Sequence, residues 1–337
     1  MPRKDIIVIG ASAGGIEPVR TILAGLPPDF AGSLFVVMHT SPDAPGLLDV
    51  IFNRAGALAA VLANDGERIV PGRVYVAPSD HHLLIEPGRV RLTRGPKENR
   101  FRPAIDPLFR SAAQTYGPRV IGIILSGGLD DGTSGLATVK QLGGTAIVQD
   151  PQEAWAPSMP ASALKHVRAD HVLPVSEIAP LLVRLAGGAD VGEGGHAVPE
   201  DVKIEVDIAK EDKATEAGVL QLGDPSNYAC PECHGVLLQM KERAPLRFRC
   251  HTGHGYTFES LVSEMDDVIE ESLWNAIRAL EERALLMRHA GEHARETPTD
   301  ANDRFITGAD DAQRRAELVR RALFEPTRFK AASSSGE

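Results

Sequence analysis

The sequence predicts an α/β protein: a doubly wound, mostly parallel sheet with helices on both faces, then a small cysteine-bearing module and C-terminal helices. Three observations carry this. Through the first half of the chain, short apolar runs alternate with amphipathic stretches of helical length, the pattern of β-α-β units. The three cysteines, Cys230, Cys233 and Cys250, all fall in one late segment. Beyond them, apolar residues recur at helical spacing.

In chain order, the runs at 5–10, 33–38, 74–77, 89–92, 120–125 and 145–149 read as strands, and 16–26, 107–116, 135–142 and 176–185 as helices. Pro-Gly pairs at 71–72 and 87–88 bracket strands with no helix between them, which predicts an antiparallel hairpin inserted into the sheet. Residues 188–222 begin glycine-rich and turn mixed-charged without periodicity; they read as a linker with one short strand at 202–206. Leu261, Met265, Ile269, Leu273, Ile277, Leu280, Ala284 and Met287 mark a long helix that needs a partner to cover its stripe. A second helix is expected over 301–324, stopped by Pro326. The implied organisation is a catalytic domain over 1–187, a linker over 188–222, a cysteine module over 223–258, a helical region over 259–325 and a disordered tail over 326–337.

At 337 residues, 43% hydrophobic and 24% charged, the chain has room for a full α/β domain and a smaller companion. A net charge of −10 argues against nucleic acid as a partner, because phosphate contacts need a basic footprint. The first apolar run is too short for a secretion signal and no run approaches a membrane span, so a cytoplasmic protein without membrane insertion is expected.

The first strand leads into Gly10-Ala11-Ser12-Ala13-Gly14-Gly15, where small residues let a strand turn sharply into a helix and leave the Ser12 hydroxyl at the crest. A nucleophilic serine needs a base and an acid to orient it. The second strand ends at His39, and the strand over 120–125 ends in a glycine-rich turn carrying Asp130 and Asp131. In a parallel sheet these strand ends gather at one rim, where ligands bind. The layout departs from α/β-hydrolases, whose elbow lies deep in the sheet with the acid before the histidine. It departs from dinucleotide-binding folds too, since Ser12 replaces the middle glycine and the second strand ends in His39-Thr40.

With these segments together, the chain resembles the chemotaxis protein-glutamate methylesterase family, the CheB type, over about residues 5–186. The resemblance rests on 8–15, the strand ending at His39, Asp65–Gly72 with its neighbour 75–78, Asn99-Arg100-Phe101-Arg102-Pro103-Ala104-Ile105-Asp106, and 124–132. It implies a serine esterase that removes methyl groups from glutamate esters on methyl-accepting receptor proteins and also deamidates glutamine, with no cofactor for catalysis. By motif, Ser12 is the nucleophile, His39 the base, and Asp131, the aspartate before Gly132, the orienting acid. The backbone N–H groups of Ala13 and Gly128 are the oxyanion donors by position. Arg100, Arg102 and Arg110 are candidates for holding carboxylates of an acidic methylation site. Ala13 stands where the family often has threonine, and Gly128 where it often has methionine. The elbow lies at the start of the chain, so the family's usual N-terminal receiver domain, and control by its phosphorylation, are expected to be missing.

Cys230-Pro-Glu-Cys233, followed by Cys250-His251-Thr252-Gly253-His254, has the spacing of a tetrahedral structural zinc site in a small ribbon. Cys230, Cys233, Cys250 and His254 are the assigned ligands. His251 is the rival fourth, disfavoured because adjacency to Cys250 strains a shared metal. The zinc-ribbon-like module and helices read as an interaction region for a regulatory protein. The alternative to an enzyme is a non-catalytic signalling module that uses the esterase fold and ribbon as docking surfaces.

Overall fold

The computed structural model describes residues 4–188, 197–210, 214–241, 245–294 and 301–324; the expected tail over 326–337 lies outside them. The described residues up to Val262 form one compact unit and those from Ser263 a second.

The first unit is built on a parallel sheet of seven strands in the order β3-β4-β2-β1-β7-β8-β9. These are β1 (Ile6–Ala11), β2 (Ser33–Met38), β3 (Ala59–Leu62), β4 (Arg73–Val76), β7 (Val120–Ile124), β8 (Thr145–Gln149) and β9 (His171–Leu173). Strand alternation sorts the core into two layers. Ile7, Ile9, Leu34 and Val36 point to one face and pack on α1 (Ile16–Ala24), α2 (Leu48–Asn53) and α6 (Val175–Ala186). Val8, Phe35, Val37 and Ile124 point to the other, under α3 (Ile105–Tyr116), α4 (Thr133–Gln141) and α5 (Ser158–His166). Each fully buried aliphatic or aromatic side chain here contributes roughly 1.5–3 kcal/mol.

The hairpin of β5 (His82–Glu86) and β6 (Arg89–Thr93) is antiparallel as expected, but forms its own two-stranded sheet. Its Leu83, Ile85 and Val90 pack into the α3 layer. The Pro-Gly at 71–72 precedes β4, which pairs in parallel with β2 and β3.

The strand expected at 202–206 is instead part of a helix, α7 (Glu200–Lys210), followed by α8 (Ala214–Ala217). Val202, Ile204, Val206 and Ile208 alternate in sequence like a strand, yet Glu205 and Ala209 are buried with them. A helix covered on most sides erases the periodicity that would have revealed it. The linker reading of 188–222 is therefore corrected over its described part. Ile204 and Ile208 form a small core with Val219, Leu222, Leu238 and Met240.

The cysteine module is a four-stranded antiparallel ribbon, β10 (Gly223–Ala229), β11 (Val236–Met240), β12 (Arg247–Cys250) and β13 (Gly255–Thr257). It belongs to the same compact unit as the parallel sheet. Helix α9 (Phe258–Ala294) leaves β13 directly. In the second unit it runs antiparallel to α10 (Ala301–Phe324): Trp274 meets Phe324 edge-on, Glu281 pairs with Arg320, and Met287 crowds Gly308. Of the expected stripe, Ile277 and Ala284 are buried, whereas Met265 and Ile269 are exposed.

Candidate active site

The chain leaves β1 toward β2 on one side and returns through β7 to continue outward on the other. The carboxyl ends of β1 and β7 therefore flank the point where strand order reverses, the place where doubly wound sheets bind ligands. Ser12 follows β1, His39 follows β2, and the loop bearing Asp130 and Asp131 follows β7.

The turn at Ser12 is tight. Gly15 N–H donates to the Ser12 carbonyl at 2.9 Å and Gly14 adopts φ +71°, where a side chain would be strained and would strike Trp155. Gly127 approaches from the β7 loop so closely that an added Cβ would lie 2.9 Å from the Ser12 Cβ. Ser12 Oγ lies 3.1 Å from His39 Nδ1, and His39 Nε2 lies 2.7 Å from Asp131 Oδ2. The Phe101 ring stacks on the imidazole at 3.7 Å between centroids and 7° between planes, fixing its tilt. A cavity of about 320 Å³ opens beside Ser12 and His39, lined also by Met38, Thr40 and Leu48.

Of the two loop carboxylates, it is Asp131 that reaches His39. Its Oδ2 also accepts Ile105 N–H at 2.7 Å, and its Oδ1 accepts from Asn99 Nδ2 and Gly132 N–H, each at 2.9 Å. The Ile105 amide opens α3, so the carboxylate caps a helix N-terminus whose own preceding residue, Ala104, offers no side-chain cap. Burial pushes Asp131 upward, but the hydrogen bond and charge of His39 and these N–H donors outweigh it and hold the group below its ordinary value. Asp130 behaves oppositely: burial raises it to about 7 against the hydrogen bond from Thr257. Asp106, buried beside Asp131, is likewise pushed up to about 7 by burial and its neighbour's charge.

Among the described residues, no protein acceptor takes the N–H of Ala13 or Gly128, the two expected oxyanion donors. The arginines separate. Arg100 is half-buried. Arg102 donates from Nε to Asp80 at 2.8 Å and from NH1 to the Gly95 carbonyl at 2.9 Å. Arg110 is 0% exposed and ion-paired with Glu98, so the expectation that it grips a substrate carboxylate is corrected: no protein substrate can reach it. Asn99 and Phe101 are the residues that sequence reasoning left without a role, although both stand in the quoted 99–106 segment.

The four assigned cysteine and histidine residues come together. Their ligand atoms all lie within 4.8 Å of one another, with Cys233 Sγ–Cys250 Sγ and Cys250 Sγ–His254 Nδ1 both at 3.6 Å and Cys230 Sγ–His254 Nδ1 at 3.7 Å. His251 is exposed and outside the group. His254 Nε2 faces Glu232 Oε2 at 3.7 Å, and Glu232 pairs in turn with Lys97 of the sheet domain.

Residues 7–182 match the CheB methylesterase family. A relative from Leptospira interrogans is 40% identical over 182 residues, 54% of this chain and 94% of its own length. Protein-glutamate methylesterase/protein-glutamine glutaminase 2 of Anaeromyxobacter dehalogenans is 38% identical over 176 residues, 52% of each chain. The crystal structure of the Thermotoga maritima CheB methylesterase catalytic domain aligns with a TM-score of 0.51 at 37% identity, covering 54% of this chain and 98% of that one. The rim of strand ends that gathers Ser12, His39 and Asp131 lies wholly inside the matched segment, and the chain belongs to the CheB methylesterase family of hydrolases.

Proposed function

We propose that the chain hydrolyses glutamate methyl esters on a methyl-accepting receptor protein, and deamidates glutamine at the same site. The single observation that carries this is the unbroken line from Ser12 Oγ through the two nitrogens of His39 to Asp131. Asp131 fixes the proton of the imidazole on Nε2, which leaves the Nδ1 lone pair facing Ser12. Nδ1 takes the hydroxyl proton as Oγ attacks the ester carbonyl, and Asp131 steadies the imidazolium that forms. The oxyanion forms toward the N–H groups of Ala13 and Gly128. Collapse expels the methoxy group, which leaves as methanol with the proton from Nδ1, and the glutamyl group remains on Ser12. His39 then deprotonates water, which attacks the acyl-enzyme and restores Ser12. With glutamine the leaving group is ammonia.

Arg100 is assigned to acidic neighbours of the substrate glutamate, whereas Arg102 is held within the protein by Asp80 and the Arg94 and Gly95 carbonyls. The esterase domain occupies 1–187, the ribbon 223–258 and the helical region 259–325. Helix α9 keeps Met265, Val268 and Ile269 exposed as a face for a regulatory protein. No helix among the described residues is long and apolar enough to cross a membrane. Methanol release from a methylated receptor is expected to fall by at least about 10³-fold in Ser12→Ala. Wild-type turnover in that variant would sink the assignment.

The ribbon fits zinc. An ion about 2.3 Å from each sulfur in tetrahedral geometry spaces sulfur pairs about 3.8 Å apart, close to the 3.6 Å between Cys233 and Cys250. Cys230, Cys233, Cys250 and His254 would hold it with no open position, so its contribution is structural, and Glu232 faces the second nitrogen of His254. Elemental analysis of the purified chain should give about one zinc per molecule. A folded, metal-free preparation would overturn the assignment.

A further inference from the structure

Asn99 is 4% exposed and every hydrogen-bonding position of its amide is used. Nδ2 donates to Asp131 Oδ1 at 2.9 Å and to Asp106 Oδ2 at 3.0 Å. Oδ1 accepts Thr257 N–H at 2.9 Å and Ser260 Oγ–H at 3.1 Å. Two carboxylates on one side and two donors on the other leave one orientation for the amide. Its backbone is held by the same partner, with Asn99 N–H donating to the Gly255 carbonyl at 2.8 Å and Gly255 N–H to the Lys97 carbonyl at 3.2 Å. The conformation is the left-handed one at φ 49°, which asparagine adopts readily, and the turn is held both by its own Glu98–Phe101 backbone pair and by partners outside it.

That outside partner is the junction of the ribbon with α9. Thr257 caps the helix, its Oγ1 accepting Ser260 N–H at 3.2 Å. The same hydroxyl gives its proton to Asp130 Oδ1 at 2.7 Å. One threonine therefore ends β13, starts α9, anchors one loop carboxylate directly and anchors the other through Asn99. Thr257 lies three positions beyond His254, a member of the Cys3His cluster, and β13 is all that separates them.

We infer that Asn99 is a positioning residue for the triad, clamped by Thr257 and Ser260, so that the ribbon completes the esterase site and its metal state sets how well Asp131 holds His39. The inference rests on Ser12 being the esterase nucleophile. A folded ribbon presents the Thr257 N–H and the two hydroxyls in register. A ribbon that loses its metal loosens the Cys250–His254 turn, then β13, then the Asn99 amide. Asp131 keeps the Ile105 N–H on Oδ2 and the Gly132 N–H on Oδ1 but loses the Asn99 amide, the side-chain donor on Oδ1.

The test uses the full chain with Thr257→Val and Ser260→Ala combined, which keeps the 257 backbone N–H and nearly the same volume. Three readouts apply: the rate at which a fluorophosphonate probe labels Ser12, kcat and KM on a small methyl ester, and the downfield proton resonance of His39 Nε2–H. The expected result is a fall of about 10- to 100-fold in labelling and kcat with KM changed less than about threefold, since a small misplacement of catalytic groups has effects of that size. The resonance should broaden or move upfield. Thr257→Ser alone, which keeps the hydroxyl of the cap and leaves Ser260 in place, should match the wild type in all three. Stripping the metal from the wild-type chain with a chelator should broaden the same resonance. An unchanged resonance and labelling rate in the double variant, or an unchanged resonance in the stripped chain, overturns the inference. If the wild-type chain itself is not labelled, the esterase reading fails, while the resonance still decides the coupling.

Discussion

Asp131→Asn is expected to lower kcat on a methyl ester by about 10⁴-fold, the size of effect seen when the orienting carboxylate of a serine triad is neutralised. The reason lies in what surrounds the side chain. Oδ2 faces His39 Nε2 and the Ile105 N–H, and Oδ1 faces Asn99 Nδ2 and the Gly132 N–H. All are donors or, for His39, must act as one. An asparagine has to place its NH₂ toward one of the two groups. Turned toward His39, it forces the imidazole to accept at Nε2 and carry its proton on Nδ1, against Ser12, where it can no longer act as a base. Turned away, it sets donor against donor in a buried place, at about 1–3 kcal/mol for each polar group left unsatisfied. Asp130→Asn is the control. Asp130 touches Thr257 rather than His39, and its raised value keeps it partly protonated at neutral pH, so its loss should change kcat by less than about tenfold. Steady-state kinetics of the two variants side by side decides between the carboxylates; equal losses would remove the distinction drawn here.

That distinction shows where sequence is readable. Ser12, His39 and the Asp130–Asp131 loop were visible because each follows an apolar run of strand length, and a parallel sheet brings such ends together. The Cys3His cluster is legible because its spacing is local: Cys230 and Cys233 share one turn, Cys250 and His254 another. What the sequence does not reveal is made by contacts between distant segments. The role of Asn99 exists only once Thr257, 158 positions later, lies against it. Arg110 looked like a surface cation because arginine usually is one; three segments converge to bury it with Glu98, Glu205 and Asp106. Helix α7 is hidden by its own burial, since Val202, Ile204, Val206 and Ile208 imitate a strand while the intervening Glu205 turns inward to Arg110, Arg247 and Arg249.

Glu205→Ala is expected to lower the unfolding free energy by about 3–5 kcal/mol, the usual result of removing one partner from a buried ion pair. Glu205 accepts two bonds from Arg247 and one from Arg249 at 2.8 Å, with Arg110 NH1 3.5 Å away. Truncation leaves the buried Arg110 and Arg249 sharing Glu98, with Asp106 3.9 Å from Arg110, and burial raises Asp106 to about 7, so it is only partly charged at neutral pH. The pH dependence has a definite sign. Burial would raise Glu205, but Arg110, Arg247 and Arg249 outweigh it and hold the carboxyl well below its ordinary value. Its contribution is therefore fully present above the unfolded value of about 4.3 and is lost as pH falls through the folded value. The difference between wild type and Glu205→Ala in urea midpoint should be constant at mild pH and shrink only below about pH 4. Asp106 and Asp130 act the other way, because a carboxyl raised to about 7 binds its proton more tightly folded than unfolded. Their contribution should thus grow as pH drops from about 7 toward about 5, against the buried His82, whose value burial lowers and which costs stability over the same range. The urea midpoint of wild type relative to Asp106→Asn and Asp130→Asn should therefore rise over that range, and a difference that stays flat or falls would contradict both assignments. Because Glu205 is on α7, Arg110 on α3 and Arg247 and Arg249 on β12, the same substitution should also release the ribbon from the sheet domain. Esterase activity should then fall under conditions where the parallel sheet is still folded.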